Sequence, residues 1–168
     1  SFPTRRSSDL SGPGDGFVFY DKGSYSNGWR YMEAAPTYTD ENFDYFNDWG
    51  SNPVPVYDTA VGTGEDNTDS LAQNEGWNGT YAATLCYDLG AGGYSDWFLP
   101  SRDELLLIGD NLHAKGYGEM WNYYYWSSSL ESEAQEEAWY VYFYSDGASA
   151  AGDKTIDTGY RVRCARQF

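Results

Sequence analysis

The chain has 168 residues, the length of one domain with a substantial hydrophobic core. Its 26 acidic and 10 basic residues give a formal net charge of -16, and 19% of its residues are aromatic. The negative charge disfavours general electrostatic binding to nucleic acids, heparin-like polyanions and anionic membranes. The aromatic content argues against a disordered chain, and no apolar run reaches the roughly 18 residues of a membrane span. We therefore expect a soluble domain with no nucleic-acid partner and no membrane insertion.

The beginning of the sequence differs from the rest. Residues 1–10 are rich in Pro, Ser and Arg, and they resemble the conceptual translation of a sequencing-adaptor oligonucleotide. We expect residues 1–11 to be an artefactual or disordered extension and residues 12–168 to form a single domain. On this interpretation the natural N-terminus is missing, and the lack of a signal peptide says nothing about location.

Two short strands are predicted near the start of the domain. The run Phe17–Tyr20 is strand-forming and is followed by turn residues at 21–23, and Trp29–Glu33 alternates between two faces. Together they predict a hairpin. Residues 37–70 are rich in Asp, Asn, Gly and Thr, which predicts a long loop.

Two helices are predicted next. Residues 82–89 carry apolar side chains at positions i, i+3, i+4 and i+7, and Gly90 stands where a C-terminal cap belongs. The second helix begins after Pro100, where Ser101 and Glu104 have the spacing of a capping box. Each helix has one apolar side and should pack against another element.

The C-terminal third is predicted to be rich in strands. Residues 121–125, 138–144 and 160–166 are aromatic or alternating runs, and residues 145–147 are typical of a turn. Strands at both ends, with helices between them, predict an α+β domain whose termini could lie in one sheet.

Several blocks, in this order, resemble the C-terminal domain of the Legionella collagen-like adhesin, over about residues 12–168. That family is similar to C-type-lectin-fold proteins and includes the variable ligand-binding proteins of diversity-generating retroelements. The resemblance implies a C-type-lectin-like α+β fold, in which two helices flank a small antiparallel sheet with long loops and the C-terminal half presents the binding face. The blocks are Gly16–Asp21, Gly28–Pro36, Gly92–Leu105, Tyr125–Ser129, Ala138–Trp139 and Arg161–Arg166.

The resemblance also bears on the two cysteines. The placement of Cys86 on a helix and Cys164 in the last strand resembles the helix-to-final-strand disulfide of C-type lectin domains; the alternative is two buried free thiols. A disulfide would indicate an extracellular or cell-surface location, or a phage tail. Formylglycine-generating enzymes share the general fold, but they need a close cysteine pair in the C-terminal part, where only Cys164 lies. We therefore expect no enzymatic activity.

The predicted binding surface is the C-terminal segment. In diversified family members, randomised adenines in asparagine codons vary such a segment, and the residues between scaffold positions of 140–160 are reachable by that scheme. The same small polar residues also form ordinary loops, so both interpretations stay open. Tyrosines at every second position are rigid contact residues, although they could instead pack beneath the helices. The candidate ligand-binding residues are Tyr140, Tyr142, Tyr144, Ser145, Ala148, Ser149, Ala150, Ala151, Asp153, Thr155, Ile156, Asp157, Thr158 and Tyr160.

No catalytic site or required cofactor is predicted. His113 is the only histidine, which gives a histidine-based metal site little support. We expect a protein or glycan ligand on a cell or phage-host surface. The alternative is a carbohydrate-binding adhesin domain without diversification, in which Trp121, Trp126 or Trp139 forms a stacking platform. Acidic residues without EF-hand spacing could still hold a structural calcium ion: Asp40, Glu41, Asp44, Asp48, Glu65, Asp66 and Asp69.

Overall fold

The computed structural model describes residues 10–37, 54–75, 81–131, 137–155 and 159–168. Within these residues the chain forms three α-helices, a short 3-10 helix and six strands in two antiparallel sheets, which confirms the predicted α+β class. The strands are β1 (Phe17–Ser26), β2 (Trp29–Ala34), β3 (Tyr124–Leu130), β4 (Glu137–Phe143), β5 (Ser149–Thr155) and β6 (Ala165–Gln167). The helices are α1 (Gly64–Glu75), α2 (Ala82–Tyr87) and α3 (Arg102–Asn111).

The first sheet joins the two ends of the domain. Its strand order is β1-β2-β6, so the last strand pairs with the N-terminal hairpin as predicted. The hairpin turn lies at Asn27 and Gly28, whose positive φ angles of 50° and 86° are those of a two-residue type I′ turn. The turn expected at residues 21–23 is wrong: β1 continues through them, with an irregular register.

The second sheet has the order β3-β4-β5. The alternative that residues 149–155 form an ordinary loop is wrong, because β5 pairs with β4 in an unbroken ladder from Phe143↔Ser149 to Glu137↔Thr155. Small residues have weak strand preference of their own, so the partner strand decides the conformation here. The predicted strand at 160–166 is regular only from Ala165; before it the chain makes isolated pairs, such as Tyr125 with Arg161.

Helix α1 lies within the segment 37–70 that the sequence analysis assigned to a loop, so that assignment is wrong from Gly64 onward. Half of its buried side is polar: besides Leu71 and Ala72 it buries Thr68, whose hydroxyl accepts from the Leu99 N–H, and Asn67, which donates to the Asp58 carbonyl. An apolar periodicity was therefore absent from the sequence. Residues 38–53 lie outside the described residues.

Helices α2 and α3 are confirmed, with one correction. Helix α2 is capped by Asp88 rather than at Gly90. Helix α3 begins with the predicted capping box: the Ser101 hydroxyl accepts from the Glu104 N–H, and the Glu104 carboxylate accepts from the Ser101 N–H at 2.8 Å. None of the helices in the described part of the chain is long and apolar enough to cross a membrane.

The core is held together by the C-terminal segment. Cys164 forms a disulfide with Cys86 on α2, with Cα atoms 5.3 Å apart, which confirms the predicted bridge. Two residues further on, Arg166 pairs with the fully buried carboxylate of Glu33 at 3.0 Å. Glu33 also accepts N–H bonds from Gly14 and Gly16, so one buried carboxylate connects the chain before β1 with the last strand. Leu10 is buried in the core cluster that also contains Met32 and Ala34 of β2.

A second buried carboxylate fixes the approach to α1. Glu104 is fully buried and accepts backbone N–H bonds from Gly62 at 2.7 Å and from Gly64 at 3.3 Å, besides its bond from Ser101. Burial raises the pKa of Glu104 to about 7, in spite of these bonds. The folded state therefore binds a proton at this group more readily than the unfolded chain does.

Replacing both cysteines with alanine should lower the free energy of unfolding by about 4 kcal/mol, because the disulfide closes a loop spanning 78 positions and restricts the unfolded chain. Urea denaturation of the double variant and the wild type measures the difference. Equal unfolding midpoints, or two free thiols titrated in the denatured non-reduced wild type, would contradict it.

Stability should fall as the pH rises from about 5 to about 7, because Glu104 has a higher pKa folded than unfolded and must lose its proton inside the protein. Burial raises the pKa of Glu33, Glu65 and Asp69 in the same direction. The variant Glu104→Gln should reduce the dependence of the urea midpoint on pH. Asp110→Asn, at an exposed position of the same helix, is the control and should leave the slope unchanged. Equal slopes for Glu104→Gln and the wild type would refute the assignment.

Candidate functional site

One side of the second sheet is covered by tyrosines, which we call the tyrosine face: Tyr124, Tyr140, Tyr142 and Tyr144. Successive side chains of a strand point to opposite sides, so the alternate residues Val141 and Phe143 are fully buried beneath the sheet. Val141 and Phe143 therefore form the inward side of the strand. The tyrosine face borders a concavity of about 310 Å³, which Ala150 and Ala151 also line.

Small residues on β5 make room for this concavity. Tyr142 lies opposite Ala150, and Tyr140 lies opposite Gly152. A Cβ atom at position 152 would be only 2.5 Å from the Tyr140 hydroxyl oxygen, so the ring lies across the strand at a place that only glycine leaves open. The absence of side-chain bulk on β5 therefore sets both the depth of the concavity and the position of the Tyr140 ring.

The rings support one another. Tyr124 is at the centre: its ring centroid is 4.5 Å from that of Tyr142 and 4.8 Å from that of Tyr160, against which it stacks at 14°. Tyr142 in turn contacts Tyr144 at 4.5 Å, and Tyr160 contacts the fully buried Trp126 at 4.5 Å. The exposed rings are thus anchored to the core through a continuous series of aromatic contacts, which restricts their motion before any partner arrives.

The phenols of Tyr160 and Tyr140 remain protonated at neutral pH. Burial raises the pKa of Tyr160 to about 12, and burial followed by the neighbouring Tyr124 raises the pKa of Tyr140. A protonated phenol both donates and accepts a hydrogen bond. The surface therefore offers polar groups at the rims of apolar rings without adding charge.

The predicted ligand-binding residues divide between the two sides of the sheet. Tyr140, Tyr142 and Ala150 share the tyrosine face by register, and Tyr144, 44% exposed, continues it into the turn. Ser145 and Ala148 are exposed in that turn. Tyr160 is only 9% exposed and lies under the face as a support. By register, the side chains of Ser149, Ala151, Asp153 and Thr155 belong to the opposite side, and Ala151 also lines the concavity. Ile156, Asp157 and Thr158 lie outside the described residues.

Tyr124 is a member of the site that was not predicted from the sequence. The run at 121–125 shows only alternating aromatic residues, and either alternate set could have faced the helices. The register Tyr124↔Tyr142 decides between them, since directly opposite residues share a face. That register is a property of the folded sheet, and its sequence signal is limited to the spacing of the tyrosines.

The tryptophans proposed as stacking platforms differ in exposure. Trp126 is fully buried, so it is wrong as a platform. Trp139 is half-buried, with the guanidinium of Arg102 4.8 Å from its ring. Trp121 is 60% exposed, and the guanidinium of Arg161 lies 4.8 Å from its ring. Of these three tryptophans, only Trp121 has both a largely exposed ring and a guanidinium group beside it.

Groups for metal or nucleophilic chemistry are not assembled within the described residues. No group of three His, Cys, Asp or Glu side chains there is arranged to hold a metal ion, and both cysteines are in the disulfide. Glu65 accepts a hydrogen bond from Gln167, and the imidazole Nε2 of His113 lies 2.6 Å from the Tyr144 carbonyl oxygen. Four of the residues proposed as calcium ligands lie outside the described residues: Asp40, Glu41, Asp44 and Asp48.

Comparison with known families gives one match. The sequence model of the family described as the Lcl C-terminal domain matches residues 48–166, more than two thirds of the chain. The matched region includes both cysteines, the whole of the second sheet and all members of the tyrosine face. No curated protein matches the chain.

The variant Gly152→Ala should destabilise the domain by about 1 to 3 kcal/mol and displace the Tyr140 ring, because the new methyl group overlaps that ring. Urea denaturation measures the first effect and the aromatic NMR signals of Tyr140 the second. Gly90→Ala is the matched control, since a Cβ there meets nothing within 4 Å. Equal unfolding free energies for the two variants would contradict this account of Gly152.

Proposed function

The chain belongs to the family of Lcl C-terminal domains, and from this premise we propose that it is a non-enzymatic, adhesin-like domain that binds a protein or glycan partner on its tyrosine face. The family match supports an adhesin-like role, and over residues 48–166 it confirms the resemblance to the Lcl C-terminal domain. The observation that carries the choice of surface is the concavity of about 310 Å³ between the tyrosines and β5. Proteins usually hold ligands in concave sites, where a few polar groups fix the orientation of the ligand.

The chemistry of the tyrosine face suits such a partner. A tyrosine presents a large ring with a polar tip and has only two rotatable side-chain bonds, so it loses little entropy on binding. Here that entropy is reduced further, because Tyr142 is already held between Tyr124 and Tyr144 at 4.5 Å from each. The net charge of -16 favours neutral or basic partners over acidic or sulfated ones.

The proposed cellular location follows from the family assignment and the disulfide. An adhesin-family domain with a disulfide points to an extracellular or surface location, since such bonds persist outside the reducing cytosol. Attachment to a phage tail is a narrower form of the proposal. The domain requires no cofactor in this proposal; a calcium ion would have a structural role.

A further part of the proposal is that retroelement diversification varies the C-terminal surface. In support, the backbone hydrogen bonds that position Tyr142, Tyr144 and Ala150 do not depend on the identity of their side chains. Sequencing the source DNA tests it: a second copy of the codons for residues 138–168, differing only at adenines and near a reverse transcriptase gene, is the expected result. No such copy, or an identical one, would leave the domain with a fixed surface.

Carbohydrate binding at Trp121 is the second candidate function. Its support is the 60% exposure of that ring, beside Arg161, since sugars stack on exposed aromatic rings. A glycan array probed with the wild type, Trp121→Ala and Tyr142→Ala separates the candidates. Loss of glycan signal in Trp121→Ala alone would favour this second candidate.

Ligands selected from peptide and glycan libraries on the wild-type domain should bind Tyr142→Ala more than about tenfold more weakly, because Tyr142 lies at the centre of the proposed contact. Titration calorimetry measures the change. Tyr25→Ala removes a ring that is 71% exposed on the N-terminal hairpin, and it should leave the affinities unchanged. Undiminished binding by Tyr142→Ala would refute the proposed surface.

A further inference from the structure

Among the described residues, strand β5 is the outer strand of the second sheet, and the edge with which no described strand pairs lies beside the tyrosine face. We propose that an extended, basic segment of a partner protein adds to this edge as a fourth, antiparallel strand. The inference rests on the proposed function and names the class of partner for the same surface. Three observations support this proposal. They are the direction of the backbone groups of β5, the few protective features along its edge, and the net charge of the whole chain.

The hydrogen-bond pattern fixes which backbone groups point outward. The N–H of Tyr144 donates to the Ala148 carbonyl, and the N–H of Phe143 donates to Tyr123 on the other side of β4. Even-numbered residues of β4 therefore bond to β5, and their partners Ala150 and Gly152 point inward. Outside the β4–β5 ladder, no backbone hydrogen bond joins the intervening residues Ser149, Ala151 and Asp153 to the rest of the described chain. Their N–H and C=O groups face away from the sheet.

The edge has little of the protection that natural sheets usually carry. Edge strands are commonly shielded by proline, bulges or charged residues. The ladder from Ser149 to Thr155 contains no bulge and no proline, and its charged residues, Asp153 and Lys154, lie toward one end. The side chains of Ala150 and Ala151 are small and exposed. The backbone of a partner strand can therefore approach residues 149–153 closely and form hydrogen bonds with their outward N–H and C=O groups.

Charge identifies the occupant. A second copy of this chain would bring another -16 to the contact, whereas a basic segment is attracted. On an added strand, alternate side chains would lie next to Ala150 and Gly152 and extend over the tyrosine face. Arginine or lysine at those positions would place its cation over the rings of Tyr140 and Tyr142. The segment that fits is therefore an extended one with a basic residue at every second position.

The test uses the intact protein and a peptide of about eight residues that alternates arginine and threonine. An antiparallel partner of Ala151 shares its side of the sheet, so with arginines on the tyrosine face the threonine N–H groups point to β5. N-methylation of every threonine removes those donors. N-methylation of every arginine gives a matched control with the same charge and the same number of methyl groups, but with the β5 contacts intact. Titration calorimetry in physiological salt reports the affinities.

We expect the threonine-methylated peptide to bind at least about tenfold more weakly than the arginine-methylated one, since several backbone hydrogen bonds are lost together. Ala151→Pro should have the same effect on the unmodified peptide, because the N–H that it removes points outward and β4 pairing is kept. Circular dichroism checks that this variant is folded; the comparison of methylated peptides needs no variant.

Two results would overturn the inference: equal affinity of the two methylated peptides, or no binding of the unmodified peptide. A dimer in analytical ultracentrifugation that Ala151→Pro dissociates would also overturn it, because a second copy would then hold the edge. The proposed function is judged separately. If the methylated peptides bind equally while Tyr142→Ala still weakens the library ligands, the edge proposal fails and the tyrosine face stands; if Tyr142→Ala changes nothing, the proposed function itself fails.

Discussion

The last ten residues of the chain are the constraint on which the two sheets depend. The backbone of Arg161 makes two hydrogen bonds to β3: its carbonyl oxygen accepts from the Trp126 N–H, and its N–H donates to the Tyr124 carbonyl oxygen. Cys164 then attaches the segment covalently to α2, and β6 completes the first sheet by pairing with β2. Both sheets are thus tied to one short segment, and the same segment supplies Tyr160, the ring on which the tyrosine face rests.

The two sides of the second sheet have different roles: one packs into the core, and the other carries the proposed contact residues. One side of β4 is buried with Val141 and Phe143 beneath the sheet, so the strand has a fixed position regardless of its other side. On the outer side, Tyr140 and Tyr142 lie opposite small residues of β5, and the Tyr140 ring also packs against the core cluster that contains Trp126. This arrangement suits an adhesin-like domain, because contact residues that are rigid before binding lose little entropy when a partner binds.

The sequence predicted the elements whose signals are local. The alternating pattern of Trp29–Glu33 and the capping box at Ser101 are each formed by residues close together in the sequence. The strand and the helix that they predict are both present. The disulfide followed from a family resemblance. Helix α1 and strand β5 were missed because their conformation depends on distant partners: α1 buries polar groups that bond other loops, and β5 is specified by pairing with β4. The face to which Tyr124 belongs follows from the register and could not be derived from spacing alone.

The central claim is that the tyrosine face, and not the N-terminal hairpin, contacts the partner. Aromatic carbon NMR of the wild-type domain, titrated with a ligand selected on that whole domain, tests this claim most directly. The account predicts that the signals of Tyr140, Tyr142 and Tyr144 shift together while that of Tyr25 stays in place. Shifts confined to Tyr25 and its neighbours on the hairpin, with the three tyrosines unchanged, would contradict it.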